Sequence, residues 1–184
     1  MLQFTIAPDG TLSPMTPPTV TAGSSPSAIA LSPDGKSAYV ANISDNTVSH
    51  YTIAADGTLA PKTPATVATG AFSTAIAISA DGKSVYVTNK GVSNLRNSAV
   101  SQYSVAADGA LSPKTPATVA TGSNPVGIAL SPDGKTAYVI NTGDNTLSQY
   151  SVAADGTLSP KTPATIATGQ SQVAIAVAPP PPAT

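Results

Sequence analysis

The sequence predicts an all-β fold assembled from copies of one antiparallel unit. Three observations lead there. Pro125 to Gly169 aligns without a gap on Pro26 to Gly70, and 33 of the 45 paired positions are identical. Each copy divides into short apolar runs separated by Asp-Gly and Asp-Asn-Thr turns. In the run Thr146 to Ala153, Leu147 has one parity while Tyr150 and Val152 have the other. A sheet solvated on one side keeps its apolar residues to one parity, so both faces are expected to be covered. A period of roughly 40 to 50 residues points to a solenoid, propeller or array. Four-stranded antiparallel units covered on both faces point to a β-propeller.

The chain is read in order as follows. Residues 1–23 are a partial blade, because LQFTIAPDGTLSPMTPPTVTAG matches the second half of the unit. Three complete blades then span 24–70, 71–122 and 123–169, the middle one with five extra residues near Asn94. The tyrosines mark the period: Tyr51, Tyr103 and Tyr150 hold one slot, and Phe4 holds it in the partial copy. Residues 170–178 open a fourth unit as a single closing strand. A proline-rich tail of polyproline character follows at 179–184.

Within the unit, the first strand is Val126 to Ser131, ending in Ser-Pro-Asp-Gly. Proline presets φ there, and Asp-Gly supplies the left-handed residue of a tight hairpin. The second strand is Thr136 to Asn141 and the third Thr146 to Ala153, which ends in another Asp-Gly turn. The fourth is placed at Ala164 to Thr168, beyond the segment with Pro160 and Pro163.

Composition excludes several classes of function. Only 9% of the 184 residues are charged, and the net charge is −1. No basic field exists to attract nucleic acid. No apolar run approaches the ~20 residues of a spanning helix. Cysteine is absent, which removes disulfides and thiolate metal sites. Low charge with abundant Ser, Thr and Ala favours an extracytoplasmic or cell-surface setting in a bacterium. MLQFTIAPDG enters directly into repeat sequence without a signal peptide, as a fragment would.

The unit SPDGK-x-x-YV-x-N…NT-[VL]-S-x-Y-x-[IV]-x-x-DG-x-L resembles the repeat of the lactonase-type, phosphogluconolactonase-like β-propellers. It is also similar to the YVTN repeats of bacterial and archaeal surface proteins, and Tyr86 to Asn89 spells that motif. The resemblance covers residues 2 to 178 and implies a seven-bladed fold, which needs roughly 330 residues at this blade length. This chain would supply about half. The resemblance also implies lactone hydrolysis, with His, Arg and Glu side chains around the mouth of a central channel.

A single active site should break the repetition, so the residues outside the repeat grammar are the candidates for chemistry. Seven of the nine aspartates precede glycine in turns, Asp45 and Asp144 hold equivalent Asp-Asn-Thr loops, and there is no Glu. Only Lys90 and Arg96 among the cations leave the pattern. His50 is the sole histidine, in a slot held by Gln102 and Gln149. It could act as a general base, but a base needs an orienting partner and no unique carboxylate is present. It reads otherwise as a strand residue that replaced Gln. His50 and Arg96 are therefore the only catalytic candidates, and none of the family's catalytic residues carries over by position.

No cofactor or metal is expected, since Asp45 and Asp144 fall in different blades with no histidine nearby in sequence. Asx-type turns with Asn46 and Asn145 suit those loops better. If the first strand runs from top to bottom, every Asp-Gly turn lies on the bottom face. All sequence variation then gathers on top, which makes Ser25, Phe72, Asn94, Arg96, Asn124 and Gln170 the ligand-binding candidates. The chain is expected to be a binding or scaffold module; the alternative is a fragment of a lactone hydrolase. Its blade faces and strand edges would be uncovered, so self-association or pairing with further blades is expected.

Overall fold

The computed structural model describes residues 1–92 and 97–178. Asn94, Arg96 and the proline-rich tail at 179–184 fall outside the described residues. The described residues form fourteen strands and no helix. β1 (Leu2–Ile6) and β2 (Leu12–Thr19) make a two-stranded sheet. Three four-stranded antiparallel sheets follow, each a meander whose spatial order is the chain order. They are β3 (Pro26–Leu31) to β6 (Leu59–Ala68), β7 (Ser73–Ile78) to β10 (Leu111–Ala120), and β11 (Pro125–Leu130) to β14 (Leu158–Ala167). Between these ends lie β4 (Ser37–Asn42), β5 (Thr47–Ile53), β8 (Ser84–Asn89), β9 (Ala99–Val105), β12 (Thr136–Asn141) and β13 (Thr146–Val152). The expected all-β arrangement of three complete blades and a partial N-terminal one is present, and among the described residues its sheets do not close into a ring.

The double-sided pattern of the central strands explains the stacking. Tyr39, Ala41 and Val48 on one face of β4–β5 are buried against Val85, Val87, Tyr103 and Leu111 of the next blade. Tyr86 and Val100 meet Ala137, Val139, Tyr150 and Leu158 in the same way. Ala38, Val40 and Tyr51 on the other face of the β3–β6 blade meet Met1 and Val20 of the partial blade. The core is thus a series of layers between blades rather than one central mass. Each fully buried Val or Tyr there contributes roughly 1.5–3 kcal/mol relative to exposure.

Two expectations need correction. The fourth strand is twice as long as expected, running from Leu158 to Ala167 through both prolines. Pro160 pairs with Tyr150, and the register then breaks before Ser148 meets Thr165, leaving Pro163 in the irregular stretch. Proline is tolerated because this strand is the outer edge, where one row of amides has no ladder partner. The peptide bonds Thr16–Pro17, Thr63–Pro64, Thr115–Pro116 and Thr162–Pro163 are all cis. The closing strand at 170–178 also differs: residues 172–178 form no strand. Ile175 lies beside Gly127 of β11, where a Cβ would stand 3.7 Å from its Cγ2. That is where an innermost strand would pack, but among the described residues no second strand pairs with it.

Candidate functional site

The top face is a set of loops tied by their own polar groups. Ser25, Phe72 and Asn124 all adopt left-handed backbone, with φ of 53°, 57° and 54°. Ser171 takes the same conformation at φ 60°, so it, and not the neighbouring Gln170, is their structural equivalent. Their carbonyls accept the Ile43, Lys90 and Thr142 amides, which joins the loop entering each blade to its second hairpin. Asp45 Oδ2 accepts the Ser24 amide at 2.6 Å, and Asp144 Oδ2 the Ser123 amide at 2.9 Å. The aspartates therefore tie two loops of one blade together, and only Thr146, donating to Asp144 Oδ1 at 2.8 Å, makes the short local bond expected of such a turn. Asn46 Oδ1 accepts the Phe72 amide at 2.8 Å and carries the tie to the next blade.

Below these loops sits the asparagine of the YV-x-N motif. Asn42, Asn89 and Asn141 are buried, and each Nδ2 donates to a serine hydroxyl of the third strand, at 2.8–2.9 Å. Gly23, Gly70 and Gly122 lie directly against them; a Cβ on Gly70 would stand 2.8 Å from Asn89 Cγ. Glycine is required here by close approach, so this part of the motif is structural.

His50 lies deep in the joint between the first two complete blades. It is fully buried, pairs with Tyr39 across β4–β5, and neither ring nitrogen completes a hydrogen bond. Burial and the nearby Lys62 ammonium push its pKa below the usual 6.5, against weaker pulls from the Pro64 carbonyl and Asp108. The glutamines in the same slot both use their amide nitrogen. Gln102 Nε2 donates to the Pro116 carbonyl at 2.8 Å, and Gln149 Nε2 to Pro163 at 2.7 Å. Lys90, the other unusual cation among the described residues, closes the second hairpin of its blade through its amide and carbonyl.

Two clefts lie on the opposite face. One of 940 Å³ opens between the Asp34 and Asp81 turns and the Asp108–Gly109 turn, with Lys36, Lys62 and Lys83 on its walls. Its repeat copy, 560 Å³, lies one blade on, at Asp81, Asp133 and Asp155. The Ser32, Ser79 and Ser131 hydroxyls hold Asp34, Asp81 and Asp133 below the ordinary carboxylate range, with help from the following lysine amides. A carboxyl serving as an acid near neutral pH would need the opposite shift. These clefts were not singled out by sequence, because every residue lining them belongs to the repeat.

A family model described as lactonase, seven-bladed β-propeller, matches residues 3–172. The chain belongs to the lactonase β-propeller family. Among solved structures, this lactonase-family chain is similar to a Bacteroides fragilis protein provisionally named a 6-phosphogluconolactonase. The two are 27% identical with a TM-score of 0.79, over 94% of this chain and 50% of that one. A Lactobacillus plantarum protein gives 24% identity and a TM-score of 0.78 over 93% and 50%. A Bacteroides uniformis protein, also provisionally named a 6-phosphogluconolactonase, gives 24% and 0.71 over 90% and 48%. These last two likenesses show the fold alone. The lactonase-family chain spans about half the length of each of these structures. Comparison with curated proteins finds no match.

Among the described residues, the expected site residues of this lactonase-family chain fall at separate positions of the repeat. Ser25, Phe72 and Asn124 occupy equivalent corners of three successive blades, and Gln170 precedes the fourth such corner. His50 is inside a blade joint, away from those loops, and Arg96 and Asn94 lie outside the described residues. Among the described residues no three His, Cys, Asp or Glu side chains gather in a metal-binding group.

Proposed function

We propose that this chain is a binding or scaffold segment of a lactonase-type propeller, presenting variable loops on a rigid blade stack without a catalytic set of its own. Lactone hydrolysis needs a base to activate water and donors to stabilise the developing oxyanion. The observation that carries the proposal is the burial of His50, the one imidazole in the chain, with both nitrogens unbonded inside a blade joint. Among the described residues no carboxylate hydrogen-bonds to it, and its side chain is closed off from solvent. The ligand-facing surface is then the top ring of loops, with Ser25, Phe72, Asn124 and Gln170 as contacts; Asn94 and Arg96, in the sequence insertion, complete the candidates. Loops held by a rigid scaffold are where binding residues concentrate.

A second reading is favoured by the family itself and by the provisional name of the Bacteroides fragilis neighbour. In it the chain is part of a lactone hydrolase whose catalytic residues come from further blades. Hydrolysis of glucono- and galactonolactones by the chain alone tests the first reading, since both readings leave it inactive unless His50 is catalytic. The proposal expects the buffer rate; turnover above it that is lost in His50→Gln would overturn the proposal.

A further inference from the structure

We propose that this chain associates head to tail with a second copy of itself, the free face of the β11–β14 blade receiving the free face of the partner's β1–β2 sheet. The argument comes from the internal joints, which repeat one set of contacts. Tyr39 Oη donates to the Gly109 carbonyl at 3.0 Å, and Tyr86 Oη to the Gly156 carbonyl at 2.6 Å. Lys62 and Lys114 donate to the Asp108 and Asp155 carbonyls. Gln3 and Gln102 accept the Leu59 and Leu158 amides through Oε1, at 2.7 and 2.9 Å. In every case one blade meets the second Asp-Gly turn of the following blade and the residue that opens its outer strand.

The last blade carries the same groups with no following blade among the described residues to meet them; Ile175, beside Gly127, covers its innermost strand. Tyr138, Gln149 and Lys161 hold the positions of Tyr86, Gln102 and Lys114, and Tyr138 pairs with Gln149 across β12–β13. Gln149 keeps its bond to Pro163, but its Oε1 receives no donor among the described residues. Tyr39 and Tyr86 are fully buried, whereas Tyr138 is half-buried. Leu147 is also half-buried, in the slot where Val48 and Val100 are covered completely.

The first sheet carries the complement. Its Asp9-Gly10 turn stands where Asp108-Gly109 and Asp155-Gly156 accept bonds from the preceding blade. Phe4, Ile6 and Leu12 hold the positions of Tyr103, Val105 and Leu111, which pack beneath Tyr39 and Val48. Here they are bare: Leu12 is 62% exposed, against 7% for Leu111 and 3% for Leu158. The β1–β2 face and the outer part of the last blade's face, at Tyr138, Leu147 and Gln149, therefore form the two halves of a joint the chain already builds twice. Counterparts of Val85 and Val87 are missing, because the two-stranded sheet has no second blade strand. The contact is accordingly smaller than the internal joints and depends on concentration. Two such heterologous contacts close a pair into eight blade positions, within the range that propellers adopt.

Light scattering on the full chain across a concentration series tests this, with Leu12→Asp as a head variant and Leu147→Asp as a tail variant. Wild type should pass from monomer to dimer, and each variant alone should stay monomeric with an unchanged β circular dichroism spectrum. An equimolar mixture of the two variants should regain association, because it restores one intact head facing one intact tail. Tyr138→Phe, which removes one hydroxyl from each of the two contacts, should weaken the dimer about thirtyfold. A wild-type monomer at every concentration, or a dimer that survives Leu12→Asp, would overturn the proposal.

Discussion

Gln102 reaches across a blade joint to Leu158: its Oε1 accepts the Leu158 amide at 2.9 Å while its Nε2 holds the Pro116 carbonyl of its own blade. One carboxamide thereby satisfies a donor and an acceptor on two outer strands. Gln3 does the same between Leu59 and Pro17. His50 occupies this position in the intervening blade and does neither.

Replacing His50 by Gln should therefore stabilise the protein. The new side chain has an acceptor to offer the Leu111 amide and a donor for the Pro64 carbonyl. The expected gain is about 1–2 kcal/mol in urea unfolding, since two unbonded buried ring nitrogens are replaced by a carboxamide that can bond on both sides. A loss of stability would show that the joint has repacked around the imidazole.

The same substitution should change the pH dependence. The folded-state pKa of His50 lies below its unfolded value of 6.5, so between those two values the unfolded chain binds more protons. Stability should be level above pH 6.5 and fall as the pH drops through this window. The turn aspartates, with values below 3.8, act only in stronger acid. Comparing unfolding midpoints at pH 7.5 and 5, the decline should shrink in His50→Gln.

Tyr86 and Tyr138 occupy one repeat position in different surroundings. Tyr86→Phe removes a buried bond to Gly156 and should cost about 1 kcal/mol in unfolding of the monomer. Tyr138→Phe, measured under dilute conditions, should cost close to nothing. Equal losses would mean that the last blade is covered within the chain.

Gly70→Ala places a methyl 2.8 Å from Asn89 Cγ and 2.9 Å from its Cβ. Overpacking of this kind costs about 1–3 kcal/mol. The midpoint of thermal unfolding should fall, and amide exchange should accelerate at Asn89 and Ser101, whose bond anchors the loop.

Much of this architecture was legible in the sequence because repetition and strand parity are local signals. The second strand, Thr136 to Asn141, agrees to the residue. The outer strand did not, because proline there reads as interruption unless its edge position is known. The blade joints were not legible either. The glutamine slot and its leucine partner are 56 residues apart, and nothing near Gln102 marks Leu158 as its target. His50 was visible as a departure from Gln, yet only the packing shows what that departure removes. The top-face candidates were found as variable loop residues, but their shared left-handed backbone is carried by Ser, Phe and Asn alike, with no glycine to signal it.

If His50 is an embedded side chain in the slot of a blade tie rather than a base facing substrate, one titration shows it directly. As the only histidine, it gives one imidazole C2 proton signal to follow by NMR. The midpoint should lie below 6.5, and the signal should not move when glucono- or galactonolactone is added. A midpoint at or above 6.5, with a shift on adding the lactone, would place the imidazole in a site open to substrate and contradict the account.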